Sequence, residues 1–190
     1  MLARYPNRKR WCRVTLSLLF ISLAVTNSIG QEITPEEVKA SYILKIRSFV
    51  ALGKPAHQIQ KICYYEKPGV PAAESVGQIL AKYAKQNAEQ HGAPLGVEWF
   101  KAIRDFSNCD VFFIPADEDG NIDNILTAIG SAPTLTISAA KRFIFRGGMI
   151  GFDVDDAGRV KMEGNLKNMR ANNVAVDAQI LEIMQRVEGQ

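Results

Sequence analysis

Cys109-Asp110-Val111-Phe112-Phe113-Ile114-Pro115, residues 109–115, is the stretch on which the fold turns. Its four central residues are apolar with no alternation. A strand with one wet face alternates apolar and polar residues, whereas a strand covered on both faces has no reason to. The run therefore predicts a strand in the middle of a sheet with helices packed on either side. Upstream, residues 59–65 (IQKICYY) and 95–101 (LGVEWFK) predict two more strands. Between them residues 72–90 predict a helix with Val76, Ile79, Leu80 and Tyr83 inward. Downstream, residues 121–129 predict a short helix carrying Ile122, Ile125, Leu126 and Ile129, and residues 133–138 (PTLTIS) another strand.

The two ends of the domain complete this pattern. Thr34-Pro35-Glu36-Glu37 is a capping box with proline at the first helical position, and Val38, Tyr42, Ile46, Phe49 and Val50 recur at helical spacing until Gly53 and Pro55. Residues 139–146 predict a short basic helix. Residues 147–154 and 159–165 predict two strands joined by the turn Asp155-Asp156-Ala157-Gly158, an antiparallel hairpin. Residues 166–172 and 177–187 predict closing helices. Asp177 is the N-cap of the second, and Ile180, Leu181, Met184 and Val187 form its inward stripe. The fold expected is α/β: a single domain with a mostly parallel sheet of about six strands, an antiparallel C-terminal hairpin and helices on both faces.

The first thirty residues belong to a different physical class. Arg4, Arg8, Lys9, Arg10 and Arg13 make a basic head free of acids. An apolar run from Val14 to Val25 follows, then Ser28-Ile29-Gly30 with small residues where a signal peptidase reads. The run is shorter than the roughly 20 apolar residues a spanning helix needs. Residues 1–30 are expected to be a signal peptide cleaved after Gly30, with the α/β domain at 31–190 and a periplasmic destination. The whole chain has a net charge of +3, with 23 basic and 20 acidic residues. Loss of the five leader cations leaves 18 basic against 20 acidic, a net of −2. That removes the electrostatic case for nucleic-acid binding.

Cys12 leaves with the leader, so Cys63 and Cys109 remain. In an exported chain such a pair reads as a disulfide, the alternative being two free thiols. His57 and His91 have no ligand spacing with each other or with the cysteines, and no metal site or cofactor is expected. Asp117-Glu118-Asp119-Gly120-Asn121 has its glycine fourth, not sixth as a calcium loop needs, and reads as a solvated loop in which Asn121 or Gly120 caps a helix. There is no nucleophile elbow, no phosphate-binding glycine loop and no dinucleotide fingerprint, so no catalytic residue is assigned and the chain is not read as an enzyme.

Two features remain for function. Gly147-Gly148 reads first as backbone geometry at a tight turn. The rival reading is that a partner approaches the backbone there. Lys141, Arg142 and Arg146 read first as the wet face of a helix, and otherwise as an anion-binding or partner-docking cluster. The candidate docking residues are Arg146, Gly147 and Gly148.

Those residues lie in a block that resembles a known family. Residues 143–152 (FIFRGGMIGF), then 159–166 (RVKMEGNL), then an asparagine-rich loop and 179–181 (QIL) resemble the C-terminal half of the YfiR-like family of exported bacterial proteins. Residues 37–50, 109–114 and 133–138 are similar to its opening helix and two of its strands. The chain departs from the family where Ala51-Leu52-Gly53-Lys54-Pro55 replaces a Trp-Pro, where Asp110 replaces a histidine and where Gly164 interrupts the hairpin's last strand. The resemblance implies a non-enzymatic periplasmic protein, in the best-known case a dimeric repressor. Such a repressor binds the periplasmic part of a membrane diguanylate cyclase and lowers cyclic di-GMP. The partner implied is a membrane protein with a periplasmic domain, with homodimerisation as a further expectation. The alternative is a ligand-binding or sensor component of another envelope system, such as a transport receptor or a sensor kinase.

Overall fold

The computed structural model describes residues 33–53, 61–66, 75–91, 95–103, 106 and 108–189. The expected signal peptide at 1–30 lies outside these residues, as does His57. The helices are α1 (Pro35–Ile46), α2 (Val76–His91), α3 (Ile122–Ile129), α4 (Leu166–Ala171) and α5 (Ala178–Ile183). The strands are β1 (Val50–Ala51), β2 (Lys61–Tyr65), β3 (Gly96–Phe100), β4 (Val111–Ile114), β5 (Leu135–Ser138), β6 (Ile150–Val154), β7 (Val160–Asn165), β8 (Ala175–Val176) and β9 (Arg186–Glu188). All the described residues fall within one compact unit.

Seven strands form the main sheet in the order β3-β2-β4-β5-β6-β7-β9, and β1 pairs with β8 in a separate two-stranded ribbon. Every neighbouring pair of the main sheet is parallel except the β6–β7 hairpin. β4 is buried at all four positions, so the unbroken apolar run does what its pattern predicts. Val111 and Phe113 face one core, with Ile62, Leu80, Ile137 and Phe152. Phe112 and Ile114 face the other, with Cys63, Phe106, Ile122 and Ile125. The first core is covered by α1, α2, α4 and α5, the second by α3. This places helices on both faces of the sheet, each burying an apolar stripe that cannot be stable in water.

α1 starts where its capping box places it. The Glu37 N–H donates to Thr34 Oγ1 at 3.2 Å, and the Thr34 N–H donates to the Glu37 carboxylate at 2.9 Å. A side-chain N-cap of this kind contributes about 1 kcal/mol. The helix stops at Ile46, earlier than the apolar spacing suggests. A 3-10 turn at Arg47–Phe49 follows, and Val50 pairs with Val176 instead of extending the helix face.

The closing helix is also shorter than its apolar stripe. α5 begins at Asp177, whose carboxylate accepts the Gln179 N–H at 2.9 Å, but ends at Ile183. Met184 is extended, and Arg186–Glu188 becomes β9, parallel to β7. The hairpin is therefore not the sheet's edge, and a seventh strand replaces the expected last helical turn. Gly164 makes room for this path: a side chain there would overlap Met184 Sδ.

Residues 139–146 do not form the short helix expected. Arg142 takes a left-handed conformation (φ 57°), which interrupts any α-helix, and only Phe143–Arg146 is helical, as a 3-10 turn. Phe143 and Ile144 are fully buried and pin this turn to the domain.

Candidate partner-docking site

The Arg146-Gly147-Gly148 segment leaves the 3-10 turn and leads into β6. Gly147 has φ 99°, a left-handed position that suits glycine, and it closes the turn with an N–H donated to the Phe143 carbonyl. Gly148 is constrained in a different way, since a Cβ there would strike the buried Phe143 ring. Both glycines thus have a complete explanation in the chain's own geometry.

Arg146 is held by two aspartates of its own chain. Its Nε donates to Asp123 Oδ1 at 3.1 Å, and Nη1 donates to Asp119 Oδ1 at 2.7 Å. Nη2 lies 3.1 Å from Asp123 Oδ2. The hydrogen bond it donates to Asp123, with the charges of both aspartates, raises the guanidinium above its ordinary pKa against a smaller opposing effect of burial. Arg146 is a clasp between the glycine turn and the start of α3, with a quarter of its side chain left to solvent. Asp119 comes from the 3-10 segment Ala116–Asn121, so the acidic stretch at 117–121 is a helical turn that supplies one of the arginine's partners. Glu118 is buried. Asn121 makes no side-chain cap and donates its amide to Glu118 at 2.7 Å instead.

Asn165 fastens the other side of the turn. Its Nδ2 donates to the Ile144 carbonyl at 2.8 Å, while its Oδ1 accepts the Asn168 N–H at 3.0 Å and caps α4. Asn168 Nδ2 reaches the Gly148 carbonyl at 3.5 Å. The glycine turn and the hairpin's Asn165-Leu166 end are thereby one physical unit. Nothing in the sequence marked Asn165 beyond its place in the family block.

Cys63 and Cys109 form a disulfide with a Cα separation of 5.7 Å, closing 46 residues of separation between β2 and the start of β4. Both residues are buried. Beside it, Asp110 accepts the Lys61 N–H on Oδ2 at 3.0 Å, and the Asp110 N–H donates to the Lys61 carbonyl at 3.0 Å. An aspartate at this position thus anchors the start of β2. Among the described residues no cluster of His, Cys, Asp and Glu is arranged to hold a metal, and no helix is long and apolar enough to cross a membrane.

The mostly parallel sheet with helices on both faces is an α/β fold. A conserved domain protein from Vibrio cholerae O1 biovar El Tor superposes with a TM-score of 0.57 at 14% identity, over 82% of this chain and 60% of the other. The ABC domain from Streptococcus pneumonia in complex with L-Trp gives a TM-score of 0.56 at 14% identity, over 81% and 60%. This chain thus spans about 60% of the length of these two structures, and what they share is the fold. No curated protein matches the chain. The sequence profile of the YfiR/HmsC-like family matches residues 36–184, and the chain belongs to that family. Membership supports a periplasmic regulator of cyclic di-GMP signalling in general.

Proposed function

We propose that this protein is exported, loses residues 1–30, and represses a membrane diguanylate cyclase by binding the cyclase's periplasmic region. The observation that carries this reading is the family match over residues 36–184. The leader's basic head and short apolar run support export. The nucleotide is made in the cytoplasm, so an exported protein acts on it only through a membrane-spanning partner. It must then bind one state of that partner more tightly than the other. Arg146, Gly147 and Gly148 form the proposed docking turn. Its rigidity, set by the Arg146 clasp and the Asn165 bonds, is the property a docking surface needs to keep ordering costs low.

The test is deletion of the gene in its own host. Cellular cyclic di-GMP and surface attachment should rise. Restoring the exported form should reverse both, whereas a leaderless form should not. The intact mass of protein from the periplasm should correspond to a chain starting at or near Gln31. Unchanged cyclic di-GMP in the deletion, in a host that expresses a membrane diguanylate cyclase with a periplasmic region, would end the repressor reading.

A second reading is a small-ligand receptor or sensor subunit for another envelope system. It draws on the fold shared with the ABC domain bound to L-Trp. A transporter or sensor kinase encoded beside the gene, in place of a cyclase, would favour it.

A further inference from the structure

We infer that a cavity of about 280 Å³ at the carboxyl end of β5 is a binding pocket for a small organic monoanion, a carboxylate carried on a short apolar group. In parallel sheets the crevice beyond the carboxyl ends of the strands is where ligands bind, because the connecting loops open there. β5 ends at Ser138, whose register partner on β6 is Gly151, while β6 runs on to Val154. The space beyond that last pair is the cavity.

Its walls carry a specific charge pattern. Lys141, Arg142 and Arg186 line it, with Asp153 and Glu163 opposing them, and Phe145 supplies an apolar face. The three cations exceed the two carboxylates by one charge, which suits one anionic group. Glu163 lies 3.8 Å from Arg186. Lys141 and Arg142 have no carboxylate partner among the described residues. The Arg142 guanidinium sits 5.8 Å from the Phe145 ring centroid, and that of Arg186 sits 5.7 Å from the same centroid. Both guanidinium groups thus stand at one half-exposed ring in the wall of the cavity. A guanidinium also matches the planar, two-oxygen geometry of a carboxylate.

Arg142 provides a separate observation. It holds a left-handed backbone conformation that is costly for any residue with a Cβ, and nothing in the turn's geometry requires an arginine there. Glycine would suit the position better as backbone. Strain of this kind concentrates at ligand clamps, and its effect here is to swing the guanidinium over Phe145.

The pocket does not depend on a cyclase partner, so it can be tested on the purified exported protein alone. Benzoate serves as the probe and benzamide as its neutral isostere, each titrated by calorimetry. Benzoate should bind saturably and more weakly as salt is raised, benzamide should not bind, and NMR shifts should fall on 141–145 and Arg186. Arg142→Gly suits the backbone and should retain or raise the melting temperature while weakening benzoate at least about tenfold, the scale of a lost charged hydrogen bond. Arg186→Gln should weaken it as well. Absence of saturable benzoate binding, equal binding of benzamide, or undiminished binding by Arg142→Gly would each overturn the inference.

Discussion

Arg146 grips Asp123 with two nitrogens, Nε to Oδ1 and Nη2 to Oδ2, each at 3.1 Å. This two-pronged pair joins the turn before β6 to the first turn of α3, elements that meet nowhere else through charge among the described residues. Both aspartates it binds are largely solvent-exposed. The pair should therefore act more as a positional clasp than as a source of stability. Arg146→Ala should cost about 1 kcal/mol or less by urea denaturation. Arg146→Lys should recover part of that, since an ammonium cannot fork. A loss of several kcal/mol would mean that the clasp is structural to the whole domain.

Gly147 and Gly148 should respond differently to the same substitution. Gly147 has open space around its missing Cβ, the nearest atom being Leu126 Cδ1 at 3.9 Å, but its φ is left-handed. Gly147→Ala should lose about 1 kcal/mol from backbone strain, and Gly147→Asn less. At Gly148 the obstacle is the buried Phe143 ring, which has nowhere to go. Gly148→Ala should lose about 1–3 kcal/mol, as overpacked cores do. Melting temperatures of the three variants read the difference. Equal losses for both alanines would contradict the steric account. It also follows that Arg146→Ala, with its small expected cost, is a cleaner probe of docking than any change at Gly148, which damages the fold first.

Asn165 makes two bonds that one substitution can separate. Asn165→Asp keeps the oxygen that caps α4 but loses the donor to the Ile144 carbonyl, whereas Asn165→Ala loses both. The aspartate variant should lose about 1–2 kcal/mol from the broken bond alone, and hydrogen exchange should speed up at Phe143–Arg146 but not in α4. In the alanine variant α4 should loosen too. Faster exchange in α4 of the aspartate variant would show that the two roles are not separable.

The main sheet was legible in the sequence because its signals were local. Val111–Ile114 had to be central once its apolar run showed no alternation, and Asp155–Gly158 could only be a turn between strands. What was not legible is set by contacts distant in sequence. Leu181, Met184 and Val187 keep helical spacing, yet Val187 lies beside Gly164 of β7, and pairing with that strand outweighs the propensity of one more helical turn. Val50 pairs with Val176 through a two-residue ribbon too short to leave a pattern. The site was half readable for the same reason. Arg146 and the glycines stood out as residue types, but nothing local announces that Asp119 and Asp123 consume the arginine, or that Arg142 turns left-handed and meets Arg186 across a ring.

The disulfide should be hard to reach and costly to lose. Cys63 and Cys109 are both buried, so a thiol reductant should act on the native protein only slowly and on the denatured protein at once. With 46 residues of separation, loop entropy alone predicts about 4 kcal/mol, and removal of native disulfides from small exported domains costs about 2–5 kcal/mol. Cys63→Ser and the reduced protein should fall in that range by denaturant titration. Two freely alkylatable thiols in the protein as isolated would rule the bridge out.

Tyr64 should weaken the fold at alkaline pH. Its ring stacks on Phe113 with centroids 5.7 Å apart, and the residue is only 5% exposed. Burial is the largest influence on its phenol. A hydrogen bond with Ser75 acts the other way, and the charges of Asp117, Glu66 and Glu118 add to the effect of burial, so the pKa is pushed up to about 12. Burial and the charge of Glu118 raise Tyr65 as well. The folded state therefore holds these protons more tightly than the unfolded chain, whose tyrosines ionise near about 10. Between those two values the unfolded state binds fewer protons, so stability falls as pH rises through the window and is fully retained below it. In an alkaline titration followed by tyrosinate absorbance, the exposed phenols should ionise first, and Tyr64 only as the fold is lost. Tyr64→Phe keeps the ring against Phe113 and removes the ionisable group, so it should shift the alkaline unfolding midpoint upward. An unchanged midpoint would assign the alkaline limit to other groups.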